Sequence, residues 1–115
     1  MSWLLRIRET FQAAHYLKDY GGKCERTHGH TFKVEVVVEV NELNPTGIGL
    51  DFAEIKKMVS EILPDHTHLN EVFPFNPSAE NLARYFFEAL KSKLPLREVT
   101  VWESDDAAAT YTENR

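Results

Sequence analysis

Three histidines in the first part of the chain have the type and spacing of metal ligands. His28 and His30 are two residues apart in a segment of alternating apolar and polar residues, and alternate residues of a β-strand project from the same face. His15 ends an earlier alternating segment and shares its parity with the apolar residues, so hairpin pairing would bring it beside the other two. Three convergent imidazoles are typical of catalytic zinc with one open position, whereas His28 and His30 alone would also fit ordinary core or surface histidines.

Cys24, four residues before His28, is a candidate catalytic thiol. A zinc ion nearby would favour its thiolate form and make it a base or a nucleophile. Its charged neighbours Lys23, Glu25 and Arg26 favour a partly exposed, electropositive position. A small buried hydrophobic residue is the alternative interpretation.

Three further titratable residues could take part in chemistry. Asp65 and His66 are adjacent, and a histidine beside a carboxylate can relay protons near neutral pH. Glu103 stands near the end of a predicted strand, where its carboxylate could accept paired N–H bonds from an amino-pyrimidine ring. A solvated strand end is the alternative for Glu103, and His68 and Asn70 are interpreted as ordinary loop residues.

Sequence periodicity predicts the strands and helices that must position these residues. Alternation predicts two long strands over 3–15 and 28–40, which pair antiparallel, and two later strands over 98–103 and 107–112. This places the histidines on the first two strands and Glu103 on the third.

Two helices are predicted between the two pairs of strands. Apolar residues with three-and-four spacing begin at Phe52 and predict a helix that Pro64 ends. A second such stripe follows Ser78, where Pro77 is expected at a first-turn position, and ends at Pro95. The order ββααββ predicts an α+β fold with a four-stranded antiparallel sheet and two helices.

Composition limits the class of protein. The 115 residues fit one domain, residues 1–115, and 43% hydrophobic with 27% charged residues is ordinary globular usage. The net charge of −5 disfavours nucleic-acid binding because it supplies no broad cationic surface. One cysteine excludes an intrachain disulfide, and no apolar run reaches the length of a membrane span. We therefore expect a soluble protein of the cytoplasm.

Several motifs together resemble the 6-pyruvoyltetrahydropterin synthase family, and the resemblance covers nearly the whole chain. They occur in the family's order: Phe11-Gln12-Ala13-Ala14-His15, Cys24-Glu25-Arg26-Thr27-His28-Gly29-His30, Thr46-Gly47-Ile48-Gly49-Leu50-Asp51-Phe52, Asp65-His66-Thr67-His68-Leu69-Asn70, Pro77-Ser78-Ala79-Glu80-Asn81-Leu82 and Val101-Trp102-Glu103. Within the family, the three residues between the cysteine and His-Gly-His are similar to the spacing of the bacterial 6-carboxy-5,6,7,8-tetrahydropterin synthases of queuosine biosynthesis.

The resemblance implies a fold, a reaction and a set of residue roles. The fold is the tunnelling fold, in which subunits pool their sheets into a barrel, so that a trimer-based homo-oligomer such as a hexamer is expected. The implied substrate is 7,8-dihydroneopterin triphosphate, which would be converted to 6-carboxytetrahydropterin, acetaldehyde and triphosphate. The implied roles are zinc binding by His15, His28 and His30, catalysis by Cys24, Asp65 and His66, and pterin binding by Glu103 and Ser78.

Two departures from the family pattern bear on these roles. Pro64 stands where relatives usually have leucine, and Ala79 stands where some relatives have a threonine thought to touch the pterin. Ser78 is expected to make that contact with the pterin instead. The alternatives are a pyruvoyl-type or epimerising pterin enzyme and a non-catalytic pterin-binding or metal-binding homologue.

Overall fold

Two strands of 13 residues, β1 (Trp3–His15) and β2 (His28–Val40), form the centre of the fold in a computed structural model that describes residues 1–18 and 26–113. They pair antiparallel from Trp3↔Val40 to His15↔His28. Both strands begin and end where the alternation predicted, because one face of each is apolar and packs into the core. Val34 and Val36 of β2 are fully buried there.

In the described part of the chain, the sheet has five strands in the order β3-β1-β2-β4-β5. The later strands are β4 (Leu96–Ser104) and β5 (Ala107–Tyr111), both antiparallel to their neighbours. The α+β class is confirmed, but the sheet has one more strand than predicted, since β3 (Thr67–His68) pairs parallel to β1. A strand of two residues carries no alternation, so periodicity could not reveal it.

Within residues 1–18 and 26–113, three helices pack into the core with the sheet: α1 (Phe52–Ser60), α2 (Leu69–Val72) and α3 (Ala79–Leu90). Two were predicted, and α2 was not, because a single turn shows no helical period. Ser78 is the N-cap of α3, and its side chain accepts a hydrogen bond from Asn81 N. Pro77 therefore precedes the helix and does not occupy its first turn. Among the described residues, no helix combines the length and apolar composition needed to cross a bilayer.

The opposite face of the sheet carries a buried carboxylate between two arginines. Glu35 is 5% exposed and accepts hydrogen bonds from Arg6 Nη1 and, at 2.7 Å, from Arg8 Nε. Burial raises the pKa of Glu35, but the two guanidinium groups outweigh it, and the pKa lies below its ordinary value of 4.5. The charged carboxylate is therefore the form that the fold stabilises.

Replacing Glu35 should change how acid affects stability. A carboxyl whose pKa is lowered by folding stabilises the protein above its unfolded-state pKa, and this contribution is lost as the pH falls through the folded-state value. Glu35→Gln should cost about 1–3 kcal/mol near neutral pH, towards the lower end because both arginines are half exposed. Below about pH 4.5 the difference from wild type should shrink.

Urea unfolding across the acid range measures this difference, with Glu42→Gln at an exposed position as the matched control. If the stabilities of Glu35→Gln and wild type fall in parallel with pH, Glu35 does not contribute through its charge.

Candidate metal centre

The hairpin register brings the three predicted histidines together. His15 pairs directly with His28, and His30 lies two residues further along the same face of β2. The ring centroids are 4.6 Å apart for His15 and His28, 5.1 Å for His15 and His30, and 4.6 Å for His28 and His30. Three imidazoles thus share one end of the sheet.

Backbone carbonyls orient two of these rings. His15 Nδ1 lies 2.8 Å from Pro77 O, and His28 Nδ1 lies 2.7 Å from Arg26 O. A carbonyl oxygen only accepts, so each Nδ1 carries a proton and each neutral ring has its lone pair on Nε2. Metal-bound histidines are commonly held in this way, with the second ring nitrogen donating to a carbonyl.

Glu103 closes the cluster from β4. Its Oε1 lies 3.1 Å from His15 Nε2, 3.2 Å from His30 Nε2 and 3.9 Å from His28 Nε2. The four ligand atoms all lie within 4.8 Å of one another. The sequence contained a signal for this position, because Glu103 shares the parity of Val99 and Val101, which are fully buried on the core face.

The donor set fits a bound cation. A bare imidazole nitrogen facing a carboxylate oxygen at hydrogen-bond distance is repulsive unless a proton or a metal ion lies between them. His30 Nε2 is buried and makes no hydrogen bond despite its distance of 3.2 Å from Glu103. Burial, opposed by Glu103 and assisted by His15 and His28, lowers the pKa of His30, which favours its neutral form. Three imidazoles and one carboxylate are ligands that zinc accepts.

Asp65 and His66 form a pair away from this cluster. Asp65 Oδ2 lies 3.0 Å from His66 Nδ1, and Asp65 Oδ1 accepts a hydrogen bond of 2.7 Å from Gln12 N. The hydrogen bond from Gln12, together with the His66 ring, lowers the pKa of Asp65. His66 is exposed and adjoins an open pocket of about 420 Å³ that is also lined by Gln12, Thr31 and the cluster residue His30. The pair and the cluster therefore border one shared pocket.

Cys24 lies outside the described residues, but contacts hold the chain on both sides of the segment that contains it. Asn70 Oδ1 accepts from Tyr16 N at 2.9 Å, and Asn70 Nδ2 donates to Tyr16 O at 3.1 Å. On the other side, His68 Nε2 lies 3.3 Å from Thr27 Oγ1. His68 and Asn70 were interpreted as ordinary loop residues, and the structure instead gives them anchoring contacts beside His15 and His28.

The two predicted pterin-binding residues lie close to a second pocket. Glu103 lines a pocket of about 190 Å³ together with Ala79, Glu80 and the three alanines of β5, Ala107, Ala108 and Ala109. Ser78 immediately precedes Ala79 as the N-cap of α3. Glu103 therefore borders both the histidine cluster and a pocket with small side chains.

A mixed sheet that brings three histidines and a carboxylate together at one end defines the chain as a candidate metalloprotein. The sequence model of a family described as 6-pyruvoyl tetrahydropterin synthase matches residues 4–114, and the chain belongs to this family.

Relatives and solved structures agree with this assignment. A dihydroneopterin monophosphate aldolase of Pyrococcus furiosus is 37% identical over 105 residues, covering 86% of this chain and 88% of the relative. A 6-carboxy-5,6,7,8-tetrahydropterin synthase of Synechocystis sp. is 33% identical over 119 aligned positions, covering 95% and 92%. The structure of Caenorhabditis elegans 6-pyruvoyl tetrahydropterin synthase matches with a TM-score of 0.85 at 30% identity, covering 99% and 97%. The expected tunnelling fold is confirmed.

Removing one imidazole should abolish tight metal binding. Loss of a residue that only supports a metal ligand typically weakens metal binding about 10- to 100-fold. Because His28 is itself one of four converging donors, His28→Ala should weaken Zn²⁺ binding by at least that much. Elemental analysis after dialysis against a weak chelator measures the zinc retained per chain. His66→Ala, which removes an exposed imidazole outside the cluster, is the control and should retain zinc. Stoichiometric zinc in His28→Ala would contradict the ligand set.

Proposed function

We infer that the chain is a zinc-dependent 6-carboxy-5,6,7,8-tetrahydropterin synthase, which converts 7,8-dihydroneopterin triphosphate and water to 6-carboxytetrahydropterin, acetaldehyde and triphosphate. The observation that carries the proposal is the convergence of His15, His28, His30 and Glu103 in a chain of this family. The Synechocystis relative, named for this activity, supports it, as does the short spacing from Cys24 to His28.

The pterin ring is proposed to bind between Glu103 and the start of α3. The Glu103 carboxylate can accept two charge-assisted hydrogen bonds from the ring amine and a ring N–H. Ala79 and the β5 alanines leave space for a flat ring beside it. The Ser78 hydroxyl accepts from Asn81 N, and its own hydrogen stays available to donate to the substrate.

The three histidines and the thiol are proposed to act on the substrate side chain. Zinc held by His15, His28 and His30 would supply Lewis acidity towards the side-chain hydroxyls. Cys24, as thiolate, would remove a proton, and His66, oriented by Asp65 at 3.0 Å, would return one. Lys23 or Arg26, together with the zinc charge, would offset the net charge of −5 for an anionic substrate.

An oligomer is part of this proposal. The β3 strand pairs with β1 only at Ala13 and Ala14, so much of the outer edge of β1 is left without a strand partner among the described residues. β5 forms the other edge of the sheet. Exposed edges favour pairing with another strand, and joining such edges between copies would give the trimer-based barrel that the resemblance implies.

The proposed cellular compartment of the protein follows from its cysteine content. A catalytic thiol and a single cysteine suit a reducing compartment, so we place the chain in the cytoplasm. There it would act as one domain, residues 1–115, and supply a carboxylated pterin to queuosine biosynthesis.

A second candidate is an aldolase acting on dihydroneopterin monophosphate. The relative from Pyrococcus furiosus with that name is 37% identical to this chain over most of both lengths. An aldolase would also need a general base and a polarised hydroxyl, which the same cluster could supply. The reactions differ in what leaves, since the synthase releases triphosphate and acetaldehyde whereas the aldolase releases a phosphorylated aldehyde.

Product analysis distinguishes these activities. We expect anaerobic incubation of the zinc-loaded protein with 7,8-dihydroneopterin triphosphate to give the carboxylated pterin, identified by mass, with one acetaldehyde trapped per triphosphate. A pyruvoyl side chain without acetaldehyde would reassign the chain to the pyruvoyl-type reaction. Turnover of the monophosphate alone, with release of a phosphorylated aldehyde, would establish the aldolase.

The Cys24→Ala variant tests the base. Because the thiolate is assigned to proton transfer and not to metal binding, turnover should fall by about 100- to 10,000-fold while zinc remains bound. Zinc content and product formation are measured on the same sample. Loss of zinc would make Cys24 a ligand, and undiminished turnover would remove it from the mechanism.

A further inference from the structure

The geometry points to a second role for Glu103: in the substrate-free protein it is the fourth ligand of the metal ion, and binding of the pterin ring draws it away and opens that position. The part of the inference that concerns pterin binding rests on the proposed function. The part that concerns the metal ligand depends only on the described side chains.

The distances around Glu103 Oε1 match those of a shared coordination sphere. Ligand atoms about 2.0–2.1 Å from a tetrahedral zinc ion are separated from one another by roughly 3.3–3.4 Å. Glu103 Oε1 lies 3.1, 3.2 and 3.9 Å from the Nε2 atoms of His15, His30 and His28, so the three separations bracket that value. One shared proton could serve only one of these contacts, and His30 Nε2 has no hydrogen-bond geometry to the carboxylate.

The backbone of β4 is irregular at Glu103, beside the cluster. The pairing of β4 with β5 passes from Trp102↔Ala108 to Ser104↔Ala107, so the register shifts at Glu103. Such bulges bend a strand and redirect a side chain, and they are common beside active sites. The displaced residue here is the one whose side chain meets the histidines.

Glu103 is also free to leave the cluster. Its side chain is 28% exposed, close to the 29% of His28 and the 25% of His30, so what distinguishes Glu103 is the space beside it. On its other side lies the pocket of about 190 Å³ bordered by Ala79 and the β5 alanines. The Glu103 carboxylate thus lies between two binding partners, a cation and a ring with N–H donors. If both of its oxygens accept hydrogen bonds from the ring, it no longer binds the cation.

Shared use of one carboxylate makes the two ligands compete. By thermodynamic linkage, a ring that takes Glu103 from the metal must weaken metal binding by the same factor by which the metal weakens ring binding. The unsubstituted compound pterin is a suitable probe because it lacks the hydroxyls that would replace the lost ligand. It should therefore bind the metal-free protein more tightly than the zinc-loaded protein.

The test uses wild type, Glu103→Gln and Glu103→Ala, with Glu98→Gln on the same strand as the matched control. Zinc affinity is measured by competition with a chelator, and coordination is followed by the visible absorption of the Co²⁺-loaded protein. We expect both Glu103 variants to bind Zn²⁺ at least about 10-fold more weakly and to give altered Co²⁺ spectra. Pterin should change the Co²⁺ spectrum of wild type and of Glu98→Gln, and leave those of the Glu103 variants unchanged.

The outcomes separate this inference from the proposed function. If wild type binds no stoichiometric zinc, both fail. If wild type binds zinc but the Glu103 variants match it in affinity and Co²⁺ spectrum, the fourth-ligand role is overturned and the synthase proposal stands. If the variants lose affinity but pterin leaves the wild-type spectrum unchanged, Glu103 is a permanent ligand and the exchange is overturned. Circular dichroism checks folding, and the isosteric Glu103→Gln variant keeps the test valid if Glu103→Ala misfolds.

Discussion

The antiparallel register of β1 and β2 is the constraint on which the site depends. Because His15 is opposite His28, the last residue of one strand and the first of the next place their imidazoles on one face. A shift of one residue would move His15 to the other face of the sheet. The register is fixed by the apolar faces of the two strands, which pack into the core as far as Phe32 beside His15 and His30, so core packing determines whether the histidines meet.

Electrostatics then sets what this arrangement can hold. Holding a carboxylate against three imidazole nitrogens is unfavourable unless a positive charge lies between them. The chain compensates its buried carboxylate, Glu35, with Arg6 and Arg8. At Glu103 no lysine or arginine contact occurs among the described residues, and the nearest groups are imidazole nitrogens. The difference between the two carboxylates is the physical basis for a candidate metal centre at one of them and a structural ion pair at the other.

Sequence periodicity predicted the long elements and failed at the short ones. The bounds of β1 and β2 were correct because thirteen residues of alternation leave little ambiguity, and the convergence of His15 with His28 followed from them. The two-residue β3 and the one-turn α2 carry too few residues for any period. Parity with Val99 and Val101 indicates the face on which Glu103 lies, but its contact with the histidines also depends on how β4 is registered against β2, which spacing along the chain does not encode. The anchoring of Tyr16 by Asn70 likewise joins residues that are distant in sequence.

The position of Asp65 and His66 relative to the histidines bears on the proposed proton relay. A proton relay acts only within hydrogen-bond reach of the atoms that it serves, directly or through one water. The pair is tied to the outer edge of β1 through Gln12, and His66 lines the same open pocket as His30. If His66 serves the proposed reaction, this shared pocket is where a substrate side chain could lie close to both the relay and the histidine cluster.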